Sequence, residues 1–318
     1  MPARRHTRRH DDGFRMTSAD TPVGLVTGAY SRRMEICLED GRIVTARVKG
    51  KRLKPVCGDR IRAQPIANES EWLLTEILPR DNELTRPDNR GKTEVLAANL
   101  SLVVVMAAPA PAPDWFVVDR YLAAAENMHA GAIVVYNKTD TGAPDDATSQ
   151  ALGAYRRAGY TVLACSARDG SGLDELAAAL RGHVAIFAGQ SGVGKSSVIN
   201  RLAADATQKI GRLSPATGEG RHTTVTSTMI ELPGGGRVID SPGVRDYAPA
   251  LDSVAAAIGG FREIAGLGND CRFANCRHLR EPDCAVKQAV AEGRLDSRRY
   301  ESYRRLARSS EALAARKY

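Results

Sequence analysis

Residues Gly189-Gln190-Ser191-Gly192-Val193-Gly194-Lys195-Ser196 fit the phosphate-loop pattern G-x-x-x-x-G-K-[ST]. This stretch constrains the chain more than any other, because such a loop works only between a buried strand and a helix. Both flanks are present. The run His183 to Ala188 reads as a strand, and Ser197 to Ala204 reads as the helix that follows. Each residue type has a physical job. The glycines let backbone N–H groups turn inward around phosphate oxygens, and the helix N-terminus adds its positive dipole end. Lys195 has the length to reach the β- and γ-phosphates, and Ser196 offers a hydroxyl to Mg²⁺. A glycine-rich turn with a chance lysine is the competing reading, and the two flanks argue against it. The position is unusual, since domains of this type ordinarily open with this loop and here more than half the chain precedes it.

A chain of 318 residues has room for two or three domains with their own cores. Its net charge of +8 favours a polyanionic partner such as nucleic acid. No apolar run approaches the ~18 residues of a membrane helix, and the Arg-rich N-terminus lacks the apolar core of a secretion signal. A cytosolic protein, with no membrane partner, is therefore expected. In that compartment cysteines stay reduced, so clustered cysteines read as metal ligands before disulfides.

Residues 1–20 carry Arg4, Arg5, Arg8, Arg9 and Arg15 with few apolar neighbours and are expected to be a disordered basic tail. From 21 to 80, five short strand-like runs separated by turn signals point to a small closed barrel. An oligonucleotide-binding (OB) fold is the leading expectation, with a solvated SH3-like barrel as the other. The basic residues Arg47, Lys49, Lys51, Arg52, Lys54, Arg60 and Arg62 lie on its middle strands and loops, where OB barrels commonly meet nucleic acid. Residues 81–98 read as a polar linker. Strands and helices then alternate. Strands are expected over 100–106, 132–136 and 161–164, and helices over 114–129 (N-cap Asp114) and 149–158. A further helix over 173–180 would start at a Ser171/Asp174 capping box. Residues 225–231 and 237–239, around Pro233-Gly234-Gly235-Gly236, read as a hairpin that ends at Asp240-Ser241-Pro242-Gly243.

In open α/β sheets, ligands sit at the carboxyl ends of the parallel strands. Polar loops follow three successive strands here: 137–140, 165–167 and 189–196. They are expected to converge on one pocket.

Taken together these segments resemble a GTPase. Asn137-Lys138-Thr139-Asp140 matches the guanine motif N-K-x-D. The Asp140 carboxylate would accept from guanine N1–H and the exocyclic amine, donors that adenine does not present there, which disfavours an ATPase. Asn137 would brace neighbouring loops, and the Lys138 stem would lie along the base. Ser166 and Ala167 would approach guanine O6 through backbone N–H groups. Asp240 and Gly243 match the D-x-x-G motif, whose Asp supports Mg²⁺ through its water shell and whose Gly senses the γ-phosphate. The order of base motif, phosphate loop and switch motif is a circular permutation of the usual one.

From about residue 21 to 310 the chain is similar to the ribosome small-subunit-dependent GTPase A family. The resemblance implies an N-terminal OB barrel (21–80), a linker (81–98) and a circularly permuted α/β P-loop GTPase domain (99–248). A C-terminal α-helical zinc-binding domain (249–318) would complete the chain. Cys271, Cys276, His278 and Cys284, spaced C-x₄-C-x-H-x₅-C, suit one closed, structural Zn²⁺ site. Such a site can contribute roughly 10–16 kcal/mol to ordering a domain with little core. Cys37, Cys57 and Cys165 have no partner pattern and read as small packing residues.

The resemblance also implies GTP hydrolysis stimulated by the small ribosomal subunit, a role in late subunit maturation, rRNA as partner and a monomeric chain. The second reading is a GTP-regulated RNA-binding factor in which hydrolysis is incidental. The GTP-binding set comprises Asn137, Lys138, Thr139, Asp140, Ser166, Ala167, Gly189 through Ser196, Ser197, Asp240 and Gly243. The Mg²⁺ ligands are Ser196 and Thr224, with Thr223 the alternative to Thr224. The catalytic group is expected to be Lys195, Thr224 and His222, with a surface-loop residue of no catalytic role the alternative reading of His222. His222 enters because Val244 follows Gly243, where many GTPases carry a water-positioning Gln. The C-terminal helix carries Arg298, Arg299, Tyr300, Tyr303, Arg304 and Arg305, expected either as a solvated face or as an rRNA contact.

Overall fold

The computed structural model describes residues 21–31, 33–50, 52–87, 93–209, 227–241, 244 and 253–315. His222, Thr223, Thr224, Pro242, Gly243, Tyr247, Asp252, Lys51 and the tail 1–20 lie outside them.

Five strands open the chain: β1 (Val23–Tyr30), β2 (Arg33–Leu38), β3 (Ile43–Val48), β4 (Arg60–Pro65) and β5 (Trp72–Ile77). They pair in the order β1-β2-β3-β5-β4, and β4 returns to β1, so the sheet closes. Only β3 with β5 is parallel. Closure removes the strand edges, and alternate residues fill the interior: Val26, Met34, Ile36, Leu38, Ala46, Ile61, Ala63 and Leu74. This is the expected OB topology.

Residues expected as a polar linker instead hold a hairpin, β6 (Glu83–Pro87) with β7 (Thr93–Ala98). Leu84, Leu96 and Ala97 explain it, since they enter the core of the next domain. Set among charged residues, these three have no distinctive period and pass for a linker in sequence.

The α/β domain is built from β8 (Leu102–Ala107), α1 (Trp115–Asn127), β9 (Gly131–Tyr136), α2 (Asp146–Arg157) and β10 (Thr161–Ala164). It continues with α3 (Leu173–Leu180), β11 (Val184–Gly189), α4 (Lys195–Lys209), β12 (Ser227–Glu231) and β13 (Arg237–Asp240). The strand order is β10-β9-β8-β11-β13-β12, parallel except for β12. Period-2 alternation divides the strands between two cores. Val103, Val105, Val134, Ile186 and Ile239 face one side with α1 and α2. Leu102, Val104, Ile133, Phe187 and Val238 face the other with α3 and α4. Sheets buried on both faces read as continuous apolar runs, which is why these strands were legible.

Asp114 caps α1 as expected, its Oδ1 accepting from Phe116 N at 3.0 Å and Val117 N at 3.2 Å. The capping box before α3 does not form. The N-cap is Gly172, with no side-chain bond, and Ser171 Oγ donates to Asp169 Oδ1 at 2.8 Å instead.

Four further helices, α5 (Val254–Gly259), α6 (Arg262–Gly268), α7 (Ala285–Ala291) and α8 (Ser297–Ala315), share a core with Ala123 of α1. α1 is thus covered by the sheet on one side and by the C-terminal helices on the other. No helix among the described residues is long and apolar enough to cross a membrane.

Candidate GTP site and metal centre

The three polar loops meet at the carboxyl ends of β9, β10 and β11. The phosphate loop leaves β11 at Gly189, whose φ is 132° and where a Cβ would lie 2.3 Å from Met106 O. Gly194, at φ 96°, faces Asn137, where a Cβ would lie 2.4 Å from Nδ2. Both positions therefore require glycine. Val193 is buried, Ser196 is half-buried and Ser197 is exposed on the first turn of α4. The Lys195 ammonium donates to Gly189 O and Gln190 O, each at 2.7 Å. Gln190 ties the loop to α1, accepting from Asp114 N at 2.7 Å and donating to Ala112 O at 3.3 Å.

Asn137, 1% exposed, is the junction. Its Nδ2 donates to Val193 O at 2.9 Å, and its Oδ1 accepts from Ala167 N at 3.3 Å. One side chain thus holds all three loops in register. Lys138 adopts φ 66° and lays its stem toward the phosphate loop, where Nζ donates to Gly192 O at 2.7 Å and Ala110 O at 2.5 Å. Thr139 N donates to Cys165 O at 3.2 Å, and Asp140 Oδ1 accepts from Ser166 Oγ at 2.7 Å.

The approach of Ser166 is corrected in one respect. Its N–H is taken by Ser171 O at 2.9 Å, so the donor available to a base edge is that of Ala167, held only by the longer bond to Asn137. Arg168, which the sequence reading passed over, places its guanidinium 3.5 Å from Asp140 Oδ2. Its position directly after Ser166-Ala167 was the available signal. Asp240 ends β13, the strand paired in parallel with β11. Ser191 and Gly192 are exposed at the loop tip. Gly243, His222 and Thr224 fall outside the described residues.

A second cluster lies in the C-terminal unit. The ligand atoms of Cys271, Cys276, His278 and Cys284 all fall within 4.8 Å of one another. His278 Nδ1 is 3.4 Å from Cys271 Sγ and 3.5 Å from Cys284 Sγ, and the two sulfurs are 3.9 Å apart. A tetrahedral ion with bonds of about 2.3 Å to sulfur and 2.0 Å to nitrogen separates its ligands by about 3.5–3.8 Å, so the set fits a metal. Surrounding bonds orient it. Tyr300 OH donates to His278 O at 2.7 Å, and Tyr303 OH donates to Arg277 O. Partial burial works against the Glu281 charge, but backbone N–H groups, those of Arg277, Leu279 and Arg280 among them, hold its carboxyl down at about 2.

A family model described as RsgA GTPase matches residues 77–249. The small ribosomal subunit biogenesis GTPase RsgA of Azotobacter vinelandii is 40% identical over 289 residues, covering 89% of this chain and 84% of that one. The chain belongs to the RsgA GTPase family. The RsgA of Pseudomonas aeruginosa strain LESB58 is 37% identical, with 96% and 90% of the two chains covered. Among solved structures, YjeQ from Thermotoga maritima superposes with a TM-score of 0.72 at 27% identity, covering 91% of this chain and 98% of that one. YloQ, described as a circularly permuted GTPase, gives 0.72 at 26% identity with 98% of each chain covered. The chain combines a closed barrel, a circularly permuted GTPase domain and a Cys₃His cluster able to hold a metal.

The structure sorts the basic and aromatic residues singled out in the barrel and in α8. On the barrel, Arg47 pairs with Glu69 at 2.9 Å, Arg60 with Asp81 at 3.6 Å and Arg62 with Glu76 at 3.5 Å, so three of the six cations among the described residues are partly neutralised. On α8, Arg299 is 1% exposed and Tyr303 is fully buried, so neither forms a solvated face or an rRNA contact.

Proposed function

We propose that the chain binds GTP across the ends of β9, β10 and β11, hydrolyses it, and acts in maturation of the small ribosomal subunit, which accelerates the hydrolysis. The observation that carries this reading is Asn137, which bonds the phosphate loop and the 165–167 loop from within N-K-x-D. A site so braced presents the Asp140 carboxylate to guanine N1–H and amine, with Ala167 N–H toward O6 and the Lys138 stem beneath the ring.

Phosphoryl transfer asks the protein for position and charge more than for covalent chemistry. Backbone N–H groups of 190–197 line the phosphates, and Lys195 exchanges its two carbonyl partners for β- and γ-oxygens. Ser196 and Thr224 would hold Mg²⁺, with Asp240 supporting it, and the ion when bound would supply charge neutralisation. Gly243 N–H senses the γ-phosphate, and His222 orients the attacking water. Zn²⁺ is the ion the Cys₃His set suits, closed and structural, since all four positions are protein ligands. rRNA is the partner of the basic barrel loops. The protein works as a monomer in the cytoplasm, away from membranes.

The test compares turnover with a variant that binds GTP but cannot hydrolyse it. If the variant supports subunit maturation as well as the parent does, hydrolysis is incidental and this reading fails.

A further inference from the structure

Where the barrel meets the α/β domain, a short chain of hydrogen bonds leads from a barrel loop to the end of β13. Ser227 opens β12, the strand that the chain enters after residues 210–226, and Ser241 directly follows Asp240. Ser227 Oγ donates to Ser241 Oγ at 2.9 Å, and Ser241 is 5% exposed. Behind them, Cys57 of the β3–β4 loop donates its thiol to Ser227 O at 3.0 Å, with a longer contact to Thr27 O at 3.6 Å. Cys57 is fully buried, and burial pushes its thiol up to about 12, so it stays a donor at every working pH.

The backbone follows the same route. On one side β12 pairs with β13, placing Thr228 opposite Asp240. On the other it pairs with the barrel's β1, Gly28 opposite Thr228 and Ala29 opposite Ser227. β12 would be an edge strand of the α/β sheet without the barrel, so the barrel completes the strand that sets the height of Asp240.

We propose that Ser227 is a positioning residue for the GTPase reaction, fixing Ser241 and with it Asp240, and that the barrel holds Ser227 through Cys57. The start of β12 at Ser227 and the end of β13 at Ser241 are thereby tied to each other and to the barrel. A load on the barrel reaches the end of β13 across two hydrogen bonds. Misplacing a reacting or supporting group by about 1 Å can cost on the order of 10²-fold in rate, so bonds this close to the site have leverage. The inference rests on the GTPase reading above.

The experiment uses the full chain with Ser227→Ala, Ser227→Thr, Cys57→Ala and Cys57→Ser. It reads the affinity ratio for a non-hydrolysable GTP analogue against GDP, and turnover with purified small subunits. Ser227→Ala is expected to bind GDP within about twofold of the parent and to lose about fivefold in the ratio. Its kcat should fall about tenfold at near-constant KM. Ser227→Thr restores both, and Cys57→Ser outperforms Cys57→Ala in the same two readouts. An unchanged ratio and kcat in Ser227→Ala would overturn the proposal. So would a parallel loss of both affinities that follows a lowered Tm, since that is the mark of a purely structural contact. If Ser227→Ala does not fold, equal behaviour of the two Cys57 variants overturns it. A parent chain without turnover would sink the GTPase reading, while the affinity ratio would still decide the role of Ser227.

Discussion

The Arg299 guanidinium lies 2.8 Å from Asp119 Oδ1, with 1% and 0% of the two side chains exposed, and it joins α8 to α1 across the domain boundary. Asp119 also accepts from Tyr155 OH at 2.7 Å and pairs with Arg298 at 2.9 Å, while Arg299 reaches Glu263 of α6 at 2.7 Å. Rings of Tyr155, Tyr160 and Phe261 pack around Arg299 at 4.6–5.7 Å. Burial opposes the Arg299 charge, yet Asp119 and Glu263 outweigh it and raise its pKa. Burial and the nearby Asp119 charge hold Tyr155 well above its ordinary value, so it remains a donor.

Breaking this network should therefore loosen the C-terminal unit from α1. Arg299→Ala leaves two acidic groups without their buried partner and is expected to cost about 3–5 kcal/mol. Arg304→Ala, which removes an i,i+3 pair with both side chains at least a third exposed, should cost ~1 kcal/mol or less. Urea unfolding of the two variants checks the contrast, and equal losses would contradict it.

That network also marks where the sequence stopped being readable. Basic and aromatic residues on a helix read as a wet or RNA-facing surface. What determines the burial of Arg299 is Asp119, 180 positions earlier in an apolar helix, and Glu263, neither of which carries a local pattern. Sheet strands, the phosphate loop and N-K-x-D were legible because strand-end loops and backbone geometry demand particular residues at fixed spacing. The β6–β7 hairpin was hidden because three apolar residues among charges have no distinctive period. The tie between Cys57 and Ser227, 170 positions apart, could come only from the fold.

Base recognition predicts a change of nucleotide. In Asp140→Asn, one carboxylate acceptor becomes an amide donor, which opposes the guanine donors and suits the 2-keto group of xanthine. One lost bond to a charged acceptor, about 1.5–3 kcal/mol, puts the fall in GTP affinity at about 10- to 10²-fold. Competition with xanthosine triphosphate reads the gain, and unchanged GTP binding would contradict the assignment.

Metal removal should act on the C-terminal unit first. Metal analysis is expected to give one zinc per chain. Chelation, or Cys276→Ser, should speed hydrogen exchange across α7 and α8 while β8, β9 and β11 stay protected, because the metal ligands draw on a core separate from the sheet's. Exchange unaffected by metal loss would argue against a structural ion.

His222→Ala tests the water-positioning role. The variant is expected to bind GTP normally and to lose most of the hydrolysis seen with subunits, about 10²-fold if it acts as a positioned group in the transition state. Normal binding with undiminished turnover removes His222 from the mechanism.

The central claim is that GTP turnover on this chain answers to the small ribosomal subunit. Single-turnover hydrolysis measured with and without purified subunits, over a series of salt concentrations, tests it most directly. The account predicts slow hydrolysis alone and acceleration of about 10²-fold or more with subunits. It also predicts that the acceleration falls steeply as salt displaces phosphate contacts. The same rate with and without subunits would contradict it.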